Sequence, residues 1–349
     1  MAAFFPVGTT APYPKSAATP SPQRFHTSTC RQSHVVKASQ RPSFIPEKVN
    51  NVIAKDAREF ANTYERTPLE IPSLGVEVST AFLRPSGPGA SRDDRPPVCL
   101  LHGFDSSSLD FRRLKPLLSE KLSTWAVDLI GWGFSDYEIF RDDGRTELGP
   151  KQKREHLYNF WKTMIKRPMV LYGSSLGGAV AVDFALEHPE AVDSLVLQSA
   201  QGFIDGIGPM SVMPGFVTRI GVGLLKTDFL RRSATEMCYY DGKFASEDAV
   251  RLGSLHVDFP GWTEANMSFM RSGGYSLSER IKEIQQKTLI IWGRQDELLE
   301  PAYAERFNSE IQDSKLVWLD ECGHAAFLEK AEEVADAVFD HVGLNENEN

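Results

Sequence analysis

Leu171-Tyr172-Gly173-Ser174-Ser175-Leu176-Gly177-Gly178 joins a short apolar run to a turn of small residues and then to a helical pattern. In this Gly-x-Ser-x-Gly spacing the outer glycines, Gly173 and Gly177, carry no Cβ. The chain can therefore turn sharply from strand to helix and leave the central hydroxyl of Ser175 exposed at the apex. The helix N-terminus behind that hydroxyl favours developing negative charge. Glycine and serine also build ordinary turns, so the surrounding sequence has to decide between the two readings.

Upstream, Val98-Cys99-Leu100-Leu101 is a continuous apolar run, as expected of a parallel strand buried on both faces, and it leads into His102-Gly103-Phe104. A helix is expected over Asp110 to Lys121. The strand Thr124 to Asp128 follows, and then the glycine-rich loop Leu129 to Ser135. An earlier strand is expected at Val76 to Leu83, and a helix from Glu147 to Arg167 leads to the strand Met169 to Tyr172. Downstream the pattern predicts a helix at Leu176 to Glu187 and strands at Leu195 to Gln198, Thr288 to Trp292 and Lys315 to Leu319. Helices are expected at Pro301 to Ile311 and Glu329 to Val342. Strands alternating with helices predict an α/β fold, a mostly parallel doubly wound sheet. Residues 202–284 break the rhythm and read as a helical cap inserted over the sheet. The expected division is 1–38 transit peptide, 39–69 N-terminal extension, 70–201 first part of the core, 202–284 cap, 285–342 second part of the core and 343–349 C-terminal tail.

Two further residues turn the apex serine into a candidate site. Asp296 follows the strand Thr288 to Trp292, and His324 follows Lys315 to Leu319. The carboxyl ends of strands in an open parallel sheet converge on one crevice, where residues distant in sequence meet. The chain order is Ser175, Asp296, His324. A serine hydroxyl is a weak nucleophile alone, so His324 is expected to take its proton and Asp296 to orient the imidazole. The simpler readings are a turn serine, a capping aspartate and a surface histidine. His102 reads as a structural residue of its loop and Asp128 as a strand-end cap, while Asp320 and Glu321 lie too close to His324 in the same loop to reach behind its ring.

Through His102-Gly103, Asp128 to Ser135, Gly173 to Gly178, Gly293 to Asp296 and Gly323-His324, residues 70–342 resemble the α/β-hydrolase superfamily. Within it the cap and Gly173 to Ala179 resemble the branch of esterases and carbon–carbon bond hydrolases, and plant plastid members in particular. Ser174 stands where that branch usually has histidine or asparagine. The resemblance implies the α/β-hydrolase fold and an oxyanion hole made by the backbone N–H groups of Phe104 and Leu176.

Composition narrows the function. The 349 residues are 41% hydrophobic, enough for a large core, and a formal charge of −9 argues against nucleic acid as a partner. No run approaches the roughly 18 apolar residues that span a bilayer. Cys30, Cys99, Cys238 and Cys322 lack disulfide or metal-site spacing. With no phosphate loop, metal cluster or dinucleotide fingerprint, no cofactor and no metal are expected. Residues 1–46 contain no acid, and ten Ser and Thr lie between Thr9 and Ser39, the composition of an organelle transit peptide. Frequent proline, sparse basic residues and Val36-Lys37-Ala38 favour the chloroplast. Loss of residues 1–38 takes away four basic and no acidic residues, moving the formal charge from −9 to −13.

The expected function is ester hydrolysis of a lipophilic small molecule through an acyl-enzyme on Ser175. Carbon–carbon bond hydrolysis of a diketone-like compound and a ligand sensor on the same fold are the alternatives. Phe203, Ile204, Met210, Met213, Phe216, Val217, Ile220, Val222, Leu224 and Leu225 make the cap strongly apolar. They suit a lipophilic lid, plain packing of cap on core, or peripheral contact with a membrane.

Overall fold

The computed structural model describes residues 41–141 and 146–344 of the chain, so the expected transit peptide lies outside the described residues. Eight strands are present among them: β1 (Tyr64–Ile71), β2 (Val76–Leu83), β3 (Val98–Leu101), β4 (Thr124–Val127), β5 (Met169–Ser174), β6 (Val192–Gln198), β7 (Lys287–Gly293) and β8 (Ser314–Leu319). They form one sheet in the order β1-β2-β4-β3-β5-β6-β7-β8. β1 and β2 run antiparallel to each other, β2 antiparallel to β4, and every other pairing is parallel.

Helices α1 (Lys55–Ala61), α2 (Leu114–Leu118), α3 (Pro150–Phe160) and α4 (Leu176–Glu187) accompany the first part of the sheet. Between β6 and β7 the chain inserts α5 (Gly215–Leu224), α6 (Asp228–Met237), α7 (Glu247–Gly253) and α8 (Trp262–Arg271). Then α9 (Ala302–Glu310), α10 (Ala326–Glu329) and α11 (Ala331–His341) complete it. Every residue of β3, β4 and β5 is buried, which is why those strands read as unbroken apolar runs. Two apolar clusters result, one on each face, built around Trp132, Phe160 and Trp292 and around Phe111, Tyr172 and Phe327.

Two elements differ from the sequence reading. The sheet opens with β1, which Pro68 and the charged Glu65, Arg66 and Glu70 disguise; at the edge of the sheet a missing N–H and outward charges are tolerated. The helix expected over Asp110 to Lys121 is a 3-10 turn, Ser108–Arg112, kinked at Phe111 and followed by the short α2.

The inserted helices reach the loops at the carboxyl ends of the strands. Arg231, His256 and Trp262 bond Asp105 after β3, Asn266 bonds Trp132 after β4, and the carbonyl of Cys238 accepts from Ala325 N after β8. They therefore cover the crevice where a parallel sheet gathers its functional residues.

Close approach at the turn between β5 and α4 tests the fold. A Cβ at Gly177 would lie 2.4 Å from the Leu101 carbonyl oxygen, and one at Gly173 would lie 2.3 Å from that of Gly177. At Gly223, inside α5, nothing lies within 4 Å. Gly177→Ala is expected to lower unfolding stability by about 3 kcal/mol, and Gly223→Ala to raise it by up to about 1 kcal/mol. Urea titrations of both variants check this; a neutral Gly177→Ala would refute the tight turn.

Candidate active site

Ser175 caps the N-terminus of α4 with φ 55° and ψ −123°, a backbone conformation that costs a non-glycine residue energy and needs support from its neighbours. That support is visible. Ser175 N donates to the Gln198 carbonyl at 3.1 Å, and the Ser175 carbonyl accepts from Gly178 N at 2.9 Å and Gln201 N at 2.8 Å. The side chain remains partly exposed. Gly103 stands beside it, close enough that a Cβ there would lie 3.2 Å from Ser175 Cβ.

Asp296 and His324, 28 residues apart, meet in the buried crevice. His324 Nδ1 lies 2.9 Å from Asp296 Oδ2, and a carboxylate at that distance accepts the Nδ1–H. Asp296 Oδ1 accepts from Leu298 N at 2.9 Å and Leu299 N at 3.0 Å, so the carboxylate cannot swing away from the ring. On its other side, the backbone of His324 is held by Gln198, whose Nε2 donates to the His324 carbonyl at 2.8 Å. Gln198 thus contacts the backbones of both Ser175 and His324. The loop of His324 gains a further anchor from Glu329, which accepts from Gly323 N at 2.6 Å and from Asp241 N at 2.9 Å.

Phe104 and Leu176 flank the serine, one in the loop after β3 and one at the first position of α4, where backbone N–H groups have no partner within the helix. The loop carrying Phe104 is fixed at both sides. His102 is buried, accepts from Leu129 N at 3.1 Å through Nε2, and so donates its Nδ1–H to the Gly103 carbonyl at 2.8 Å. Burial holds its pKa down at about 3, which keeps it neutral and makes it a structural bridge.

Asp105, next to Phe104, has φ 46° and is buried under the inserted helices. Its carboxylate accepts from Trp262 Nε1 at 2.7 Å and His256 Nε2 at 3.0 Å and pairs with Arg231. Burial alone pushes this carboxyl up, but Arg231 and His256 outweigh it and hold the pKa at about 2. No local pattern marks this cluster, because the three partners lie 126, 151 and 157 residues away. Only the position of Asp105 after His102-Gly103-Phe104 hints at it.

Asp128 accepts from Ser108 N and Phe134 N, both at 2.7 Å, and from Tyr64 Oη at 3.2 Å, which ties the segments after β3 and β4 to the start of β1. Asp320 is exposed and bonds Arg294 at 2.8 Å. Cys322 is buried, and burial pushes its thiol up, away from the reactive thiolate. Among the described residues no group of three or more His, Cys, Asp or Glu is arranged to hold a metal ion.

The sequence matches the Alpha/beta hydrolase family over residues 100–337. It is 35% identical to an Arabidopsis thaliana alpha/beta hydrolase domain-containing protein, VTE7, across 89% of this chain and 93% of that protein. It is 26% identical to the Bos taurus monoacylglycerol lipase ABHD6, across 70% of this chain and 75% of the lipase. A solved meta-cleavage product hydrolase from Pseudomonas fluorescens superposes with a TM-score of 0.62 at 22% identity, covering 79% of this chain and 96% of that one.

The buried imidazoles set an acid limit on stability. Burial holds His102 and His156 at about 3 and His341 at about 4, against about 6.5 in an unfolded chain. As pH falls below about 6.5 the unfolded chain takes up protons that the folded chain refuses, so stability is lost. Asp128, which burial raises to about 6, opposes this between about pH 6 and 4, because the folded state protonates first. From pH 7 to 5 the net expectation is a loss of about 4 kcal/mol, which His156→Gln reduces. Urea titrations at the two pH values measure it, and a protein equally stable at both would overturn the assignment of neutral buried histidines.

Proposed function

The chain belongs to the alpha/beta hydrolase family, and from that premise we propose that it is a serine hydrolase cleaving an ester of a lipophilic small molecule through an acyl-enzyme. The observation that carries this reading is the buried His324–Asp296 pair, 2.9 Å apart, linked through Gln198 to the strained apex serine. In this reading Nε2 of His324 takes the Ser175 Oγ proton as Oγ bonds to the ester carbonyl carbon. Asp296 keeps Nδ1 protonated and stabilises the imidazolium. The carbonyl oxygen, now negative, accepts from the N–H groups of Phe104 and Leu176. Collapse breaks the bond to the alkoxy oxygen, which leaves with the proton from His324. Water, deprotonated by the same histidine, then releases the acid and restores Ser175.

A monoacylglycerol lipase among the relatives agrees with an acyl ester as substrate. The cap adds a second support. Phe216, Ile220 and Leu224 form an outward stripe on α5, with Val212, Met213 and Phe229 exposed beside it, while Thr218 and Val222 face inward. Residues 206–227 contain no acid and two basic residues, Arg219 and Lys226, in a chain of net charge −9. A lipid surface is the partner that such an apolar stripe suits, although Arg219 is paired with Glu264 beside it. The acid-free residues 1–46 and the likeness to a plant protein support delivery to the chloroplast.

Two experiments decide. The wild type is expected to react with a fluorophosphonate probe and to turn over short and long acyl esters. Ser175→Ala should lose labelling altogether, and Asp296→Asn should lose about 10⁴ in kcat. Turnover of a diketone in place of esters would reassign the chemistry to carbon–carbon cleavage, and saturable binding without labelling or turnover would make the protein a sensor. Fractionated plant cells should yield a chain beginning after about residue 38, recovered in part with chloroplast membranes and shifted to the stroma by Phe216→Ser with Ile220→Ser. A cytosolic chain beginning at Met1 would overturn the placement.

A further inference from the structure

We propose that Gln198 is a positioning residue that sets the separation of Ser175 and His324, and that Ser174 is its dedicated partner. This rests on the serine-hydrolase reading above. Gln198 closes β6, where it is fully buried and paired in register with Ser174 of β5 and Ile291 of β7. Its amide has one arrangement that satisfies its neighbours. The His324 carbonyl can only accept, so Nε2 must face it, at 2.8 Å; Oε1 then faces the Ser174 hydroxyl, which donates at 2.8 Å. The backbone carbonyl of the same residue takes the Ser175 N–H.

The other hydrogen-bonded anchors of the histidine loop come from elements other than β5 and β6. Asp296 belongs to the loop after β7, Glu329 to α10, and Cys238, whose carbonyl accepts from Ala325 N, to the inserted helices. Gln198 alone among these ties that loop to the element presenting Ser175. Proton transfer between Ser175 and His324 tolerates little displacement, since a shift of about 1 Å can cost roughly 10²-fold in rate. Ser174 also gains an explanation. Without its hydroxyl the buried Oε1 would lose its donor and the amide would be held at one end only, at the cost of an unpaired polar atom.

The test compares Gln198→Met, which keeps the length and removes both hydrogen bonds, with Ser174→Ala and the double variant. Gln198→Met is expected to slow fluorophosphonate labelling and kcat on an acyl ester by about 30–100-fold, with KM within about twofold. Amide hydrogen exchange over residues 322–326 should accelerate while the strands exchange as in the wild type. Ser174→Ala should lose a few-fold in kcat with a melting temperature lowered by only a few degrees, and the double variant should match Gln198→Met alone in kcat, the mark of a shared pathway. Wild-type labelling and exchange in Gln198→Met overturn the proposal, as does full additivity of the two changes. If Gln198→Met does not fold, Ser174→Ala decides, and an unchanged kcat and exchange rate overturn it. A wild type that neither labels nor turns over would sink the hydrolase reading alone, because the exchange comparison still reports whether Gln198 holds the loop.

Discussion

The close approach of α4 to the end of β3 is the constraint on which the rest of the molecule depends. Gly177 lies so near the carbonyls of Leu101 and His102 that no side chain fits, and Gly173 lies equally close to Gly177. With those contacts made, the chain cannot leave β5 gradually. It turns within one residue, and that residue, Ser175, is forced to a positive φ. The strain is held by hydrogen bonds from the strand beside it and from the segment that follows that strand, through Gln198 and Gln201. A hydroxyl at such an apex is presented outward because the backbone has no other way to pass from strand to helix.

Around this apex the polar groups act as fasteners between elements. Asp128 joins the loops after β3 and β4, and Asp105 joins the loop of Phe104 to three residues of the inserted segment. Glu329 joins the loop of His324 to the start of the segment after α6. Each is a carboxylate taken out of water and given several donors, the condition under which a buried charge is tolerated. Both loops that flank Ser175 are thereby tied to the inserted helices, so a displacement of those helices would be felt at both sides of the serine.

Much of this was legible along the chain. The buried strands β3, β5 and β7 read as apolar runs because both their faces are covered; Ser175 follows β5 and Asp296 follows β7, whereas His324 follows the partly exposed edge strand β8. β1 was missed, since an edge strand can carry Pro68 and charges without penalty. The broken helix after Ser108 was smoothed over, because a kink at Phe111 leaves no mark in hydrophobic spacing. Gln198 read only as the end of an apolar strand, and nothing near Asp105 announced Arg231, His256 or Trp262.

The sequence by itself determined the alternation of strands and helices from β3 onward, the sharp turn at Gly173 to Gly177, and the three residues set at strand ends. Those features depend on local conformational preference and on a periodicity that spans a few residues. Only the tertiary structure decided which way the amide of Gln198 points, which cap residues hold Asp105, and that the apolar stripe of α5 faces outward while Thr218 faces in. Hydrogen bonds between residues more than a hundred positions apart depend on how layers pack, and that packing leaves no periodic trace in the chain.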